Sequence, residues 1–340
     1  MSENIKPAPP ANPQSTASAN AGRTPRVGLG NGVGLLVLYL GMVFVISRLS
    51  PYFLGQRNLI NLPVSVAVLG MIAIFSTMLM IGGGLDLSVG ATTALVGVAV
   101  ASTQGAFGVW GATLFGLLIG LLIGMINGLL VTRVGINPLI TTLGMLSTIR
   151  GLAFVFSGGL SIPMLDTNFG QLGRGNIGGL PIIVIVVMIL FGGAAIVMRF
   201  STYGRAMYAI GGNSRASFLA GLPVKRYQLT AYMLSGLSAA VAGVFLTSRL
   251  GVAAPQASTG LELSVVAAII LGGTSLSGGK GNLFGTLLGV LILGTLDNAM
   301  TLLSVSAYYQ QIGLGIILLL AVGLDQLRVG NLGRLLRSRT

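Results

Sequence analysis

Six acidic side chains in 340 residues leave few places where a proton or a charge could be handled. Three of them, Asp86, Glu262 and Asp297, stand in or beside long apolar runs, and so does Arg150. An ionisable group in bilayer hydrocarbon costs about 2.5–3.5 kcal/mol on insertion scales, so each needs a purpose. Two carboxylates sharing a proton would suit an acid protease working inside the membrane. Asp86 and Asp297 invite that reading, but neither stands in a GxGD-type segment, and the GLD at 323–325 falls at the end of the last apolar run. The segment LGGTSLSGGKGN (271–282) resembles a phosphate loop at first sight. The pattern needs Gly five residues before its Gly-Lys and Ser or Thr after the Lys, and those positions hold Thr274 and Gly281. With no His and no Cys, the usual zinc, haem and thiolate sites are excluded. The chain is therefore not expected to be an enzyme or to bind a cofactor of its own.

The elements that must position these groups are membrane helices. Charged residues make up 7% of the chain and 53 residues are Gly, whereas a soluble protein carries about 25% charge. Small residues let membrane helices pack closely. The net charge of +13 fits the basic cytoplasmic loops of any polytopic protein, and no nucleic-acid partner is expected. Residues 1–26, rich in Pro, Ala, Asn, Ser and Thr, read as a disordered tail. The ASANA at 17–21 follows no apolar run, so a cleaved signal peptide is rejected. A span needs about 20 apolar residues. The first falls at 32–49, the second between Arg57 and Asp86, and two more between Leu87 and Thr132 around the turn QGAFGVWG (104–111). A fifth runs over 138–157. The segment 158–179 reads as a long polar loop. Spans at 181–198, 228–248, 263–279, 283–303 and 308–325 complete ten, with a basic segment 199–227 outside the bilayer and a basic tail at 329–340. With both termini cytoplasmic, fourteen Lys and Arg fall on the inner side. Only Arg48, Arg57, Arg174 and Arg249 fall on the outer, as the positive-inside rule requires.

A repeat runs through this arrangement. GLDLSVGA (84–91) recurs as GLELSVVA (260–267), matching Asp86 to Glu262 and Ser88 to Ser264. Asn127 and Asn298 follow in each copy, and NGLLVTRVGINPLITTLG then matches NAMTLLSVSAYYQQIGLG without a gap. The copies, about 64–157 and 228–325, begin in the third and eighth spans. An odd offset inverts the second copy in the membrane, which is an architecture of transporters. It also places Asp86 towards the cytoplasm and Glu262 towards the outside. Each acid precedes Leu-Ser and an apolar run, so each is expected to cap a helix start or to act directly in transport. Asp297, deeper in its span, is expected to pair with Arg150. Thr141, Thr142, Ser147, Asn127 and Asn298 could bond a solute's hydroxyls or bond between helices.

Five strings carry a resemblance over residues 50–325. IGGGLDLSVG (81–90), GINPLITTLG (135–144), STYGRAMYAIGGNSRASFLAGLPV (201–224), TGLELSVVAAIILGGTSLSGGKGNLFGTLLG (259–289) and SVSAYYQQIGLGIILLLAV (304–322) stand in order and correctly spaced. Together they resemble the membrane permeases of bacterial ABC importers for monosaccharides such as ribose, xylose and arabinose. The resemblance implies an all-α polytopic fold of the vitamin-B12-importer type within 27–328, with ten spans and inverted halves, in the inner membrane. It also implies a second permease copy, a periplasmic sugar-binding protein and cytoplasmic ATPase subunits that bind the ATP and magnesium. Such permeases insert a short helix into the ATPase, often marked EAA with Gly at the seventh position. Here Arg215-Ala216-Ser217 and Gly221 keep that spacing without the Glu, and Gly204, Arg205, Gly211 and Asn213 lie in the same matching string. The docking helix is expected at 213–221, although a basic loop resting on anionic lipid would carry the same charge. Asp86, Ser88, Asn127, Asn137, Arg150, Glu262, Ser264, Asp297 and Asn298 are the translocation or gate candidates. Sugar members often read ELDAIAA and NNGLNLLGVS where this chain has ELSVVAA and DNAMTLLSVS, so Ser264 replaces an Asp and Asp297 is added. Permeases for autoinducer-2 sugars share most of these strings, and the particular sugar is left open. An ion-driven secondary transporter is the alternative, and the segment 199–227 separates the two, since a free carrier has no need of an ATPase-docking helix.

Overall fold

The apolar runs become helices at the boundaries their flanking residues set. The computed structural model describes residues 29–328, so the tails 1–26 and 329–340, with the ASANA segment, lie outside the described residues. Helix α1 spans Leu29–Leu49 and α2 spans Gln56–Ile81. Helix α3 covers Val89–Leu129 and α4 covers Pro138–Ser157. Asn137 starts α4 by accepting the Leu139 amide at 2.9 Å, with Pro138 in the first turn where its missing N–H costs nothing. Helix α5 (Gly170–Arg174) is a single short turn. Then come α6 (Ile182–Phe200), α7 (Thr202–Gly212), α8 (Ser214–Leu219) and α9 (Val224–Leu250). Helices α10 (Leu261–Leu271), α11 (Leu283–Leu302) and α12 (Ala307–Arg328) close the chain.

Helix α2 is apolar all round and largely buried, so it sits at the centre of the bundle. Helix α3 is two arms. Gly108, at φ 65° and ψ 165°, breaks it within the expected turn, a conformation open to glycine at no steric cost. The chain reverses there, because a Cβ on Gly116 would touch Val100 and Val96 of the first arm. The second arm then lies backbone to backbone on α9. Gly120, Gly124 and Gly128 recur every four residues, and a Cβ on any of them would strike Gly236, Tyr232 or Leu229. Gly236 on α9 returns the contact, since its own Cβ would strike the Gly120 carbonyl.

Two expectations change. The span expected at 263–279 is the eleven-residue α10, about 16 Å long at 1.5 Å per residue, against a hydrocarbon core of about 30 Å. Gly272 and Gly273, the latter at φ 87°, end it early. The segment 158–179 is an ordered cover. Strand β1 (Ile162–Pro163) pairs antiparallel with a strand after α9, Val252–Ala253, while Asn176–Ile177 and Leu180–Pro181 form a hairpin. Gln104 holds it from below, donating to the Pro163 carbonyl at 3.1 Å and accepting the Leu165 amide at 2.8 Å. Among the described residues seven helices are long and apolar enough to cross a membrane, the two-armed α3 counted once, and α10 and the apolar part of α12 are shorter. This is a multi-pass helical membrane protein.

Candidate functional site

The acid of the first copy is buried at the head of α3. Asp86 is 5% exposed and lies in a non-helical stretch just before the helix. Its Oδ1 accepts from the Ser88 amide at 2.9 Å, the Ser88 hydroxyl at 2.7 Å and the Asn127 amide group at 3.4 Å. Its Oδ2 accepts from the Ser235 hydroxyl of α9 at 3.0 Å. Asn127 also donates to Ser88 Oγ at 2.9 Å. Ser88, not Asp86, stands at the cap position of α3, and the carboxylate accepts that residue's amide and hydroxyl from just ahead of the helix. The structure adds a junction tying both arms of α3 to α9, with Ser235 as the member no sequence string marked.

The second copy is built differently. Glu262 lies in the first turn of α10, and its Oε1 accepts the Gly260 amide at 3.2 Å. Its Oε2 rests against Gly90 and is buried without a hydrogen-bond partner. Gly90 is four residues from Asp86, so the two acids converge inside the fold and are not placed at opposite ends. Arg150 does not pair with Asp297. Its guanidinium donates to the carbonyls of Pro255 and Ala257 at 2.8 and 2.7 Å and is an electrostatic neighbour of Glu262. It thereby holds the middle of α4 to the loop that precedes α10. Ser264 makes only a long 3.4 Å bond to the Gly260 carbonyl. Asn298 exchanges two amide bonds with Asn58 of α2, at 3.0 and 2.8 Å, so it does not repeat the Asn127–Ser88 contact. Thr142 bonds its own helix at the Pro138 carbonyl. Asp297 and Ser264 line a cavity of about 460 Å³ between α2, α10, α11 and α12.

The segment 199–227 forms two helices where one was expected. Asn213 separates them, its side chain accepting the Ala216 amide at 2.9 Å. The expected small-residue contacts divide into two groups. Gly204 packs on Met198, and Gly211 faces the Ile81 carbonyl and the Gly279 amide, so both serve the interior of this chain. Ser217 is buried as well. Arg205, Arg215 and Ala216 are exposed, and Gly221 sits at φ 84° with open space around it, so it shapes the turn after α8. The exposed apolar pair on α8 is Phe218 and Leu219, at 60% and 73%. Sequence reading missed it because two apolar residues in a short basic segment have no periodicity to mark them.

Three glycine turns meet beneath α7. The end of α2 (Gly82–Gly83), the end of α7 (Gly211–Gly212) and the turn after α10 (Gly278–Gly279) touch, and the Gly279 amide donates to the Ile81 carbonyl at 2.8 Å. Tyr208 of α7 donates to the Gly281 carbonyl at 2.8 Å, and burial pushes its phenol above the ordinary range, so it stays a neutral donor. Gln228 donates to the Gly82 carbonyl at 3.2 Å. A displacement of α7 would reach the chain ahead of α3 and the chain behind α10 at once.

Interrupted helices beside buried acids are an arrangement that membrane transport proteins use. Residues 58–322 match the family described as branched-chain amino acid transport system / permease component, and the chain belongs to it. Among its relatives is the ribose import permease protein RbsC of Bacillus subtilis (strain 168), 44% identical over 302 residues, covering 88% of this chain and 92% of the relative. The L-arabinose ABC transporter permease protein AraH of Azospirillum brasilense is 39% identical over 307 residues, 88% of each chain. The ribose import permease protein RbsC of Escherichia coli (strain K12) is 38% identical over 295 residues, 85% of this chain and 92% of the relative. No solved structure matches the chain at a significant level. The chain is a transport component and not an enzyme.

Proposed function

We propose that this chain is the membrane permease of an ATP-binding-cassette importer that carries a monosaccharide inward across the bacterial inner membrane. The observation that carries the reading is the similarity to ribose and arabinose permeases over 88% of the chain. The family description names branched-chain amino acids. An amino acid brings a carboxylate, and the polar side chains of the 460 Å³ cavity, among them Ser65, Ser264, Asp297, Gln310 and Gln311, include no cation to meet one. They suit a neutral solute with many hydroxyls. The test is uptake of labelled D-ribose and L-arabinose by proteoliposomes holding the chain with its ATPase and binding protein. Uptake should require ATP and survive a protonophore, and uptake driven by an ion gradient without ATP would refute the reading.

In this proposal the two arms of α3, with α12, bring the full spans to nine, and the short α10 together with the loop that leads into it makes the tenth crossing, in two inverted copies. Both termini and the segment 199–227 lie in the cytoplasm, and a second copy of the permease completes the pathway. A reporter active only in the cytoplasm should therefore work when fused after Lys225 and be silent after Gly170, and the opposite pattern would reverse the orientation.

The ATPase subunit, which holds the ATP and magnesium, docks on α7 and α8. Arg199, Arg205, Arg215, Lys225 and Arg226 are all exposed there with no acid among them, which favours an acidic partner face. Phe218 and Leu219 supply the apolar centre. The Phe218→Glu, Leu219→Glu double variant should lower ATPase co-purification by about ten-fold, about 1.4 kcal/mol. Undiminished co-purification would place docking elsewhere.

A further inference from the structure

The cavity between α2, α10, α11 and α12 holds polar groups that the fold itself does not use. Asp297 lines it from α11 as an exposed residue, and its carboxylate makes no hydrogen bond or ion pair with any described residue. Gln311 faces it from α12 with a side-chain amide likewise unbonded among the described residues. Ser264 approaches from α10, spending its hydroxyl only on the 3.4 Å bond to its own helix. Tyr308, 80% exposed, stands at the rim and offers an aromatic face. The remaining lining is mostly Leu, Val, Ile and Met. Asp297 and Gln311 are both exposed, within two turns of the point where α11 ends and α12 begins, so a carboxylate and an amide without partners stand at the open, solute-accessible side of the cavity. At about 460 Å³ the cavity lies in the usual range for small-molecule sites, apolar walls with a few convergent polar groups included.

From this juxtaposition we infer that the cavity is a binding site for a neutral polyhydroxylated solute in transit, with Asp297, Gln311 and Ser264 bonding its hydroxyls and Tyr308 stacking on its C–H face. The inference rests on the sugar-permease reading and adds a site to it. A carboxylate is an acceptor only and a glutamine amide both donates and accepts, so the pair can meet adjacent hydroxyls in complementary directions. No charge on the solute is required. An amide at position 297 should then serve nearly as well as the acid, whereas a hydrocarbon of similar size should not.

The test uses the complete importer, permease with ATPase and binding protein, in proteoliposomes with D-ribose as probe. Asp297→Leu should lower D-ribose uptake at least ten-fold while ATP hydrolysis persists, and Asp297→Asn should restore uptake to within about three-fold of wild type. Because the chain has no Cys, Gln311→Cys supplies a single thiol, with Ser264→Cys as the second reporter. Saturating D-ribose during turnover should slow labelling of that thiol by a charged maleimide several-fold, with no such effect on a thiol at the exposed Ser102. Wild-type uptake by Asp297→Leu, or labelling of both thiols at the same rate with and without sugar, would overturn the site while leaving the sugar-permease reading intact. Failure of the wild-type importer to take up any monosaccharide would overturn that reading and this site with it.

Discussion

Gly211→Val is expected to cut solute uptake by more than ten-fold. The position has no room for a side chain, because a Cβ there would occupy the space of the Ile81 carbonyl and the Gly279 amide, which are backbone atoms that cannot rotate away. Overpacking of this kind typically costs about 1–3 kcal/mol, and here it falls where three segments touch. Two of them are joined by the Gly279-to-Ile81 backbone bond, and the third, α7, is held by Tyr208 to Gly281. The protein can relieve the clash by lifting α7, which separates the surface offered to the ATPase from the breaks at the ends of α2 and α10. ATP hydrolysis would then continue without transport. The neighbouring Gly212 has open space at its Cβ, so Gly212→Ala should transport like wild type. Uptake and ATP hydrolysis measured in the same proteoliposomes check the pair, and an active, coupled Gly211→Val would mean that α7 does not act through this junction.

Asp86→Leu is expected to remove the protein from the membrane altogether. The Ser88 amide, the Ser88 and Ser235 hydroxyls and the Asn127 amide group converge on one carboxylate. A buried donor left without an acceptor costs about 1–3 kcal/mol, so losing the acceptor for several at once rivals the whole stability of an ordinary domain, about 5–15 kcal/mol. Asp86→Asn should cost far less, because the amide oxygen still accepts and Ser235 can turn its hydroxyl to accept as well. Membrane-inserted protein by immunoblot and thermal stability in detergent distinguish the two variants. If Asp86→Asn accumulates normally yet transports nothing, the charge itself works in transport and the structural account of Asp86 fails.

Most of the helices were legible because their ends carry local signals. Asn137-Pro138 opens α4 and Gly158 closes it, and the predicted range 138–157 is the observed one. The turn at 104–111 was readable for the same reason, since Gly108 supplies the conformation that reverses α3. Helix α10 was misjudged because composition cannot tell a span from a half-helix followed by a Gly-rich loop with few charges. Nor could the repeat be read into contacts. The strings around Asp86 and Glu262 are nearly alike, yet one acid precedes its helix and the other lies within the first turn, so their partners differ. Ser235 and the Asn58–Asn298 pair are joined by chain reversals that no short window of sequence contains. The glycines at 120, 124 and 128 were open to view and point to close helix packing, but only the fold shows that α9 is what they meet.

That glycine seam bears on how the protein can move. Helices separated by a layer of side chains can shear, because rotamers adjust as one slides along the other. Between the second arm of α3 and α9 there is almost no such layer, for Gly120 and Gly124 seat directly on the backbone of Gly236 and Tyr232. Small displacements would drive carbonyls into Cα atoms, and the next register that fits is a full turn away, about 5.4 Å. The pair is therefore a strut. Any opening towards one side of the membrane must swing other helices about it, with the strut keeping its length and pitch through every turn of the cycle.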